Sequence, residues 1–121
     1  MNTALSNFMK KNPGFTLPKI GLDFTESVGS DVYTWRITDV DTNSKGFTAV
    51  QYAPKNKAVW PDQNWSFEDE NGNPLLSNIS MHCKFAYGHW IIDRHSLYIG
   101  TIRERLNPIF GIRYKYKDPM F

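Results

Sequence analysis

Val32-Tyr33-Thr34-Trp35-Arg36-Ile37-Thr38-Asp39-Val40 alternates large apolar and polar side chains with a period of two. Tyr33, Trp35 and Ile37 fall on one face; Thr34, Arg36 and Thr38 fall on the other. β-Branched and aromatic residues in that pattern predict a half-buried strand. Asp41-Thr42-Asn43-Ser44-Lys45-Gly46 supplies turn chemistry, and Phe47 to Ala53 resumes the strand pattern. The two runs therefore predict an antiparallel hairpin closed by a loop of about six residues.

A second hairpin is expected over Ile79 to Asp93, turning at Tyr87-Gly88. A two-residue turn there sets Ala86 opposite His89, Phe85 opposite Trp90, Cys83 opposite Ile92 and His82 opposite Asp93. Cys83, Phe85, Trp90 and Ile92 then share an inward face, and His82, Lys84, His89 and Asp93 share the wet one. Asn64 to Glu68 alternates as well, with Trp65 and Phe67 together on one side, so Trp65 is expected in the core. Asp69-Glu70-Asn71-Gly72-Asn73-Pro74 is the clearest turn in the chain. Ser96 to Ile102 and Ile109 to Tyr116 give two more strands, separated by Arg103 to Pro108. Ahead of these, Ala4, Leu5, Phe8 and Met9 have near-helical spacing and predict a helix of about two turns over Thr3 to Lys11, stopped by Asn12-Pro13-Gly14.

The expected fold is thus mainly β: a small antiparallel barrel or sandwich of about six strands with a short N-terminal helix. A single domain over 1–121 is expected, with a helical segment at 1–17 and a β body at 18–121. No internal repeat, low-complexity tract or linker interrupts it.

Of 121 residues, 40% are hydrophobic and 15% aromatic, which suits a packed core and argues against extensive disorder. The net charge of +2 singles out no polyanionic partner. It hides an asymmetry: residues 1–83 carry 7 basic and 9 acidic side chains, residues 84–121 carry 7 and 3. One cysteine, Cys83, excludes an intramolecular disulfide and a multi-cysteine zinc site. Met1 to Phe15 lacks an apolar core of the kind a secretory signal needs, and no apolar run approaches a membrane span. The expected compartment is cytoplasmic, and the glycosylation sequons at Asn64 and Asn78 are read as chance.

His82, Cys83, His89, Asp93 and His95 form the densest set of reactive side chains. Imidazole and carboxylate ligate transition metals, and a His–Asp pair can act as base and orienter. On the predicted hairpin, however, His82 and His89 stand at opposite ends, roughly 13 Å apart. Cys83 points to the other face, and a His82–Asp93 cross-strand pair is the usual structural arrangement. No nucleophile elbow, phosphate-binding glycine loop or calcium loop is present. No catalytic residue, metal or cofactor is assigned. A small hydrolase or metal enzyme using His82, His89 or Asp93 stays as an outside alternative.

Arg113, Lys115 and Lys117 alternate with Ile112, Tyr114 and Tyr116. On a strand this makes a cationic row backed by an aromatic one, and Lys84, Arg103 and Arg105 could extend it into a phosphate-binding patch. A solvated outer face explains the same row without any ligand. Trp60, between a lysine-containing loop (Lys55, Lys57) and Pro61, is expected to be exposed, where a tryptophan commonly anchors a protein interface.

The ending Gly111-Ile112-Arg113-Tyr114-Lys115-Tyr116-Lys117-Asp118-Pro119-Met120-Phe121 resembles a Gly-x-Arg-x-x-Tyr-x-Asp-Pro-x-Phe pattern carried by small, uncharacterised bacteriophage and mobile-element proteins. Pro18-Lys19-Ile20-Gly21, Gly29-Ser30-Asp31-x-Tyr33-Thr34, Gln63 to Phe67 and Gly88-His89-Trp90 are similar to that pattern in the same order. Asn71 to Ser80 and the His/Cys segment depart from it. The resemblance implies no transferable activity; it implies a small effector in the host cytoplasm that binds a host or phage protein. The leading expectation is a non-enzymatic binding module using Lys55, Lys57, Trp60, Arg113, Lys115 and Lys117. Its alternative is a nucleic-acid-binding barrel using Lys84, Arg103, Arg105, Arg113 and Lys115. No membrane partner is expected, and homodimerisation through an edge strand is compatible with either reading.

Overall fold

A computed structural model describes residues 15–28, 31–43, 45–59, 62–96 and 100–113. The expected helix over Thr3 to Lys11 lies outside these residues, as do Trp60, Lys115 and Lys117.

The described chain is mainly β and antiparallel. Its strands are β1 (Asp23–Val28), β2 (Asp31–Val40), β3 (Gly46–Tyr52), β4 (Lys55–Asn56), β5 (Trp65–Ser66), β6 (Leu76–Ala86), β7 (His89–Ser96), β8 (Gly100–Leu106) and β9 (Ile109–Phe110). Seven join one sheet in the order β8-β7-β6-β3-β2-β1-β9, while β4 and β5 pair in a small lobe. A flat seven-stranded sheet would be about 29 Å wide. Yet β8 and β9, at opposite edges, are joined by only Asn107 and Pro108. Three peptide units reach at most about 11 Å. The sheet must therefore curl until its edges approach, giving a half-barrel with a seam between β8 and the β9–β1 edge.

Both expected hairpins form. In the second, Ala86 pairs with His89, Phe85 with Trp90 and Cys83 with Ile92, the register set by the turn. Tyr87 (φ 54°) and Gly88 (φ 79°) both adopt the left-handed region, as a type I′ turn requires. In the first, an extra residue on β2 shifts the register between Ile37 and Asp39. That bulge resets the alternation, so Val40 packs against the core, Asp39 stays exposed and the sheet bends.

Other boundaries differ from the sequence reading, and nine strands replace about six among the described residues. Asp23–Val28 is a strand although Glu26 occupies an inward position. β8 runs through Arg103 to Leu106, where a connection is expected, because seven pairings with β7 hold it. β9 ends at Phe110: Gly111 turns the chain at φ 82°, so Ile112 and Arg113 do not continue the strand expected to reach Tyr116.

The inner face is packed with rings, which accounts for the aromatic content. Trp90 lies 5.6 Å from Phe15, 4.9 Å from Phe47, 5.2 Å from Phe85 and 5.8 Å from Phe110, centroid to centroid. Phe24, Ile37, Ala49, Cys83 and Ile92 complete the buried cluster with Trp35 and Leu106. Glu26, buried beside them, accepts a hydrogen bond from Trp35 Nε1 at 3.1 Å. Trp65, expected in the core, is instead half-buried on the lobe, its Nε1 donating to Gln63 Oε1.

Candidate functional site

Three groups of polar side chains stand on this frame, and the sequence-derived candidates divide among them.

The first is the β4–β5 lobe. Asn56 Oδ1 accepts from the backbone N–H of Ala58 (3.1 Å) and of Asn64 (2.9 Å), tying both residues to β4. Asp69 Oδ1 likewise accepts from the N–H groups of Asn71 (2.8 Å) and Asn73 (2.9 Å). Those bonds, chiefly the one from Asn73, stabilise the carboxylate and hold Asp69 below its ordinary value. Between lobe and turn lies a cleft of about 560 Å³ whose walls include Lys55, Lys57, Glu68, Asp69 and Glu70. Lys55 and Lys57 are exposed and make no close ion pair among the described residues, although Lys55 also helps to hold the Asp69 carboxylate ionised. Val59, two residues on, is 85% exposed.

The second group is the outer face of β6, β7 and β8. Lys84 pairs with Ile91, and Ile91 with Arg105, so the two cations share one row across three strands. Arg103 donates to Asp93 at 3.1 Å, and Arg105 donates to His89 Nε2 at 3.0 Å. A guanidinium has no acceptor, so His89 Nε2 carries the lone pair in this contact. The anticipated His82–Asp93 pair gives way to other partners: His82 Nε2 lies 2.9 Å from Asp41, which the β2–β3 loop brings alongside β6. Cys83 is fully buried on the opposite face. Among the described residues no three His, Cys, Asp or Glu side chains converge as a metal site.

The third group lies on the outer face around β1. Asp23 accepts from Arg36 Nε and from the Tyr52 hydroxyl, each at 2.9 Å. Arg113 pairs with Glu68 of the lobe and approaches Asp23 at 3.9 Å. Arg36 covers the Tyr52 ring, Arg113 covers the Phe67 ring, and the two rings meet edge to face at 5.4 Å. Burial, followed by the bond to Asp23, pushes the Tyr52 phenol up to about 12. The hydrogen bond to Glu68 raises Arg113, and the one to Asp23 raises Arg36. This network clamps the lobe and the chain after β9 onto the sheet.

Arg113 therefore does not extend the Lys84–Arg105 row. It sits at the Asp23 end of β1 with two carboxylates near it. Arg105 reaches the Ser27 end, four residues or about 13 Å along the strand. Sequence reasoning gave Asp23, Tyr52 and Glu68 no functional role, since their hydrogen-bond partners are 13 to 45 residues away and no local pattern marks the pairing. It also missed a cleft at the seam; the only local signal for that was Pro108 between two strands. Comparison with models of known protein families, with curated proteins and with solved structures finds no match to this chain.

Proposed function

We propose that this protein is a non-enzymatic binding module that engages a protein through the β4–β5 lobe. The observation that supports this most directly is the joint exposure of Lys55, Lys57 and Val59 on a lobe clamped to the sheet by Arg113 and Glu68. An exposed apolar side chain close to two exposed cations suits a partner surface with an acidic rim around an apolar patch. Trp60, next in sequence, and Lys115 and Lys117 after Arg113 belong to the same proposed interface. The resemblance to bacteriophage and mobile-element proteins makes a host protein in the bacterial cytoplasm the partner class. No helix among the described residues is long and apolar enough to cross a membrane.

The experiment is affinity capture from bacterial lysate, with and without nuclease, using the wild-type chain and a Lys55→Glu/Lys57→Glu variant. A protein retained after nuclease by wild type and lost with the variant supports the reading. Retention that disappears with nuclease, or that the variant leaves intact, refutes it.

The row formed by Lys84 and Arg105 favours a second reading, nucleic-acid binding across β6–β8, with Arg103 at its margin. That reading requires retention on single-stranded DNA or RNA that weakens steeply with salt and falls on Lys84→Glu or Arg105→Glu.

A further inference from the structure

At the seam of the half-barrel, a second cleft of about 490 Å³ opens between the end of β1 and the β8–β9 corner. Its walls combine Trp90, Leu106, Pro108 and Ile109 with the polar side chains of Arg105 and His89. Two of these groups have unmet donor capacity. Arg36, Arg103 and Arg113 each have a carboxylate partner, whereas Arg105 has none among the described residues and is held only by the neutral face of His89. The Trp90 Nε1–H is buried with no acceptor among the described residues. Ile109, by contrast, leaves apolar surface open at the rim, 53% exposed. An exposed cation without a counter-charge and an apolar rim at one concavity, with Trp90 packed beneath it, define the complementary ligand.

We propose that the seam cleft is a binding site for a small organic acid, its carboxylate paired with Arg105 and its apolar body lying against Pro108 and Ile109 at the rim. A planar guanidinium fixed by His89 presents two parallel N–H donors to a carboxylate, the geometry that gives such pairs their strength and direction. The lobe plays no part in this site, so it stands or falls separately from the protein interface.

The test is titration of the full chain with phenylacetate, with phenylacetamide as the neutral match and inorganic phosphate as the anion without an apolar body. The readout is the shift of the Trp90 indole N–H resonance, assigned with Trp90→Phe. Phenylacetate is expected to shift that resonance saturably below about 10 mM and to bind at least about tenfold more tightly than either control. Arg105→Gln is expected to abolish that preference while leaving the remaining amide spectrum in place. The proposal is overturned by no saturable shift with phenylacetate, by equal binding of the amide or of phosphate, or by an Arg105→Gln variant that binds as wild type does. His89→Gln provides a second variant should Arg105→Gln not fold; it is expected to weaken phenylacetate binding, and unchanged affinity would overturn the proposal.

Discussion

Trp35 donates its indole N–H to Glu26 Oε1 across the β1–β2 pair, at 3.1 Å and inside the curl of the sheet. Both residues face the aromatic core: Trp35 is 3% exposed and Glu26 6%. A buried donor left without its acceptor costs more than the bond itself contributes. Glu26→Ala is therefore expected to lower unfolding free energy by about 1–3 kcal/mol. Glu26→Gln, which keeps an acceptor oxygen, should cost less. Urea unfolding of the single variants and of each combined with Trp35→Phe checks this. Losses that simply add would deny the coupling.

Gly46 opens β3 beneath the Asp41 side chain. A Cβ there would overlap the Asp41 carboxylate and stand 3.0 Å from the carbonyl oxygen of Cys83. Gly46→Ala is expected to destabilise by about 1–3 kcal/mol, because backbone is the less yielding neighbour. It should also push Asp41 away from His82. The His82 ring resonances, followed by NMR, are expected to move in Gly46→Ala as they do in Asp41→Asn. Unchanged stability and an unchanged His82 environment would count against this account.

Tyr87 holds φ at 54° while 90% of it is exposed, so its side chain contributes little to offset the backbone cost. Asparagine tolerates that conformation better. Tyr87→Asn is expected to stabilise the chain by about 0.5–1 kcal/mol, read as a rise in Tm. Gly88→Ala should do the opposite, since alanine at φ 79° is strained.

Tyr52 supplies a pH signature. Its phenol ionises at about 12 in the folded chain against an ordinary value of 10.0. Below pH 10 the hydroxyl is protonated in both folded and unfolded chains, and its contribution to stability is complete. Between pH 10 and 12 the unfolded chain releases this proton first, so that contribution is lost as pH rises. Wild type should therefore lose stability through this window more steeply than Tyr52→Phe, measured by urea midpoints at matched pH. Parallel pH profiles for the two proteins would contradict the assignment.

How far the sequence could be read depends on how far apart the interacting residues lie. The β6–β7 register was legible because Tyr87-Gly88 admits a two-residue turn, and the turn then dictates every pairing up to Cys83 and Ile92. β1 was illegible for a related reason. Asp23-Phe24-Thr25-Glu26-Ser27-Val28 puts an acidic residue on the inward face, and its burial is stabilised by the distant Trp35 on the neighbouring strand. The end of β8 was misplaced because Arg103 and Glu104 look like turn residues until Asp93 and Ile92 on β7 claim them.

The same division holds for the candidate site. Lys55 and Lys57 stand out in the sequence as a lysine-containing loop, although Lys55 belongs to strand β4. The neutralisation of Arg113 does not stand out there, because Glu68 and Asp23 reach it from 45 and 90 residues earlier in the chain. By itself, the sequence determined a mainly β chain, the inward positions of Trp35 and Ile37, the two faces of the second hairpin from Cys83 to Ile92 and the burial of Cys83. Alternation and turn chemistry are properties of adjacent residues. Only the tertiary structure decided the order of the strands, the curl imposed by Asn107 and Pro108, the partners of His82 and Glu26, and the cation left uncompensated at the seam. Each of these depends on which distant strands lie side by side, and that is settled when the rings around Trp90 pack into one core.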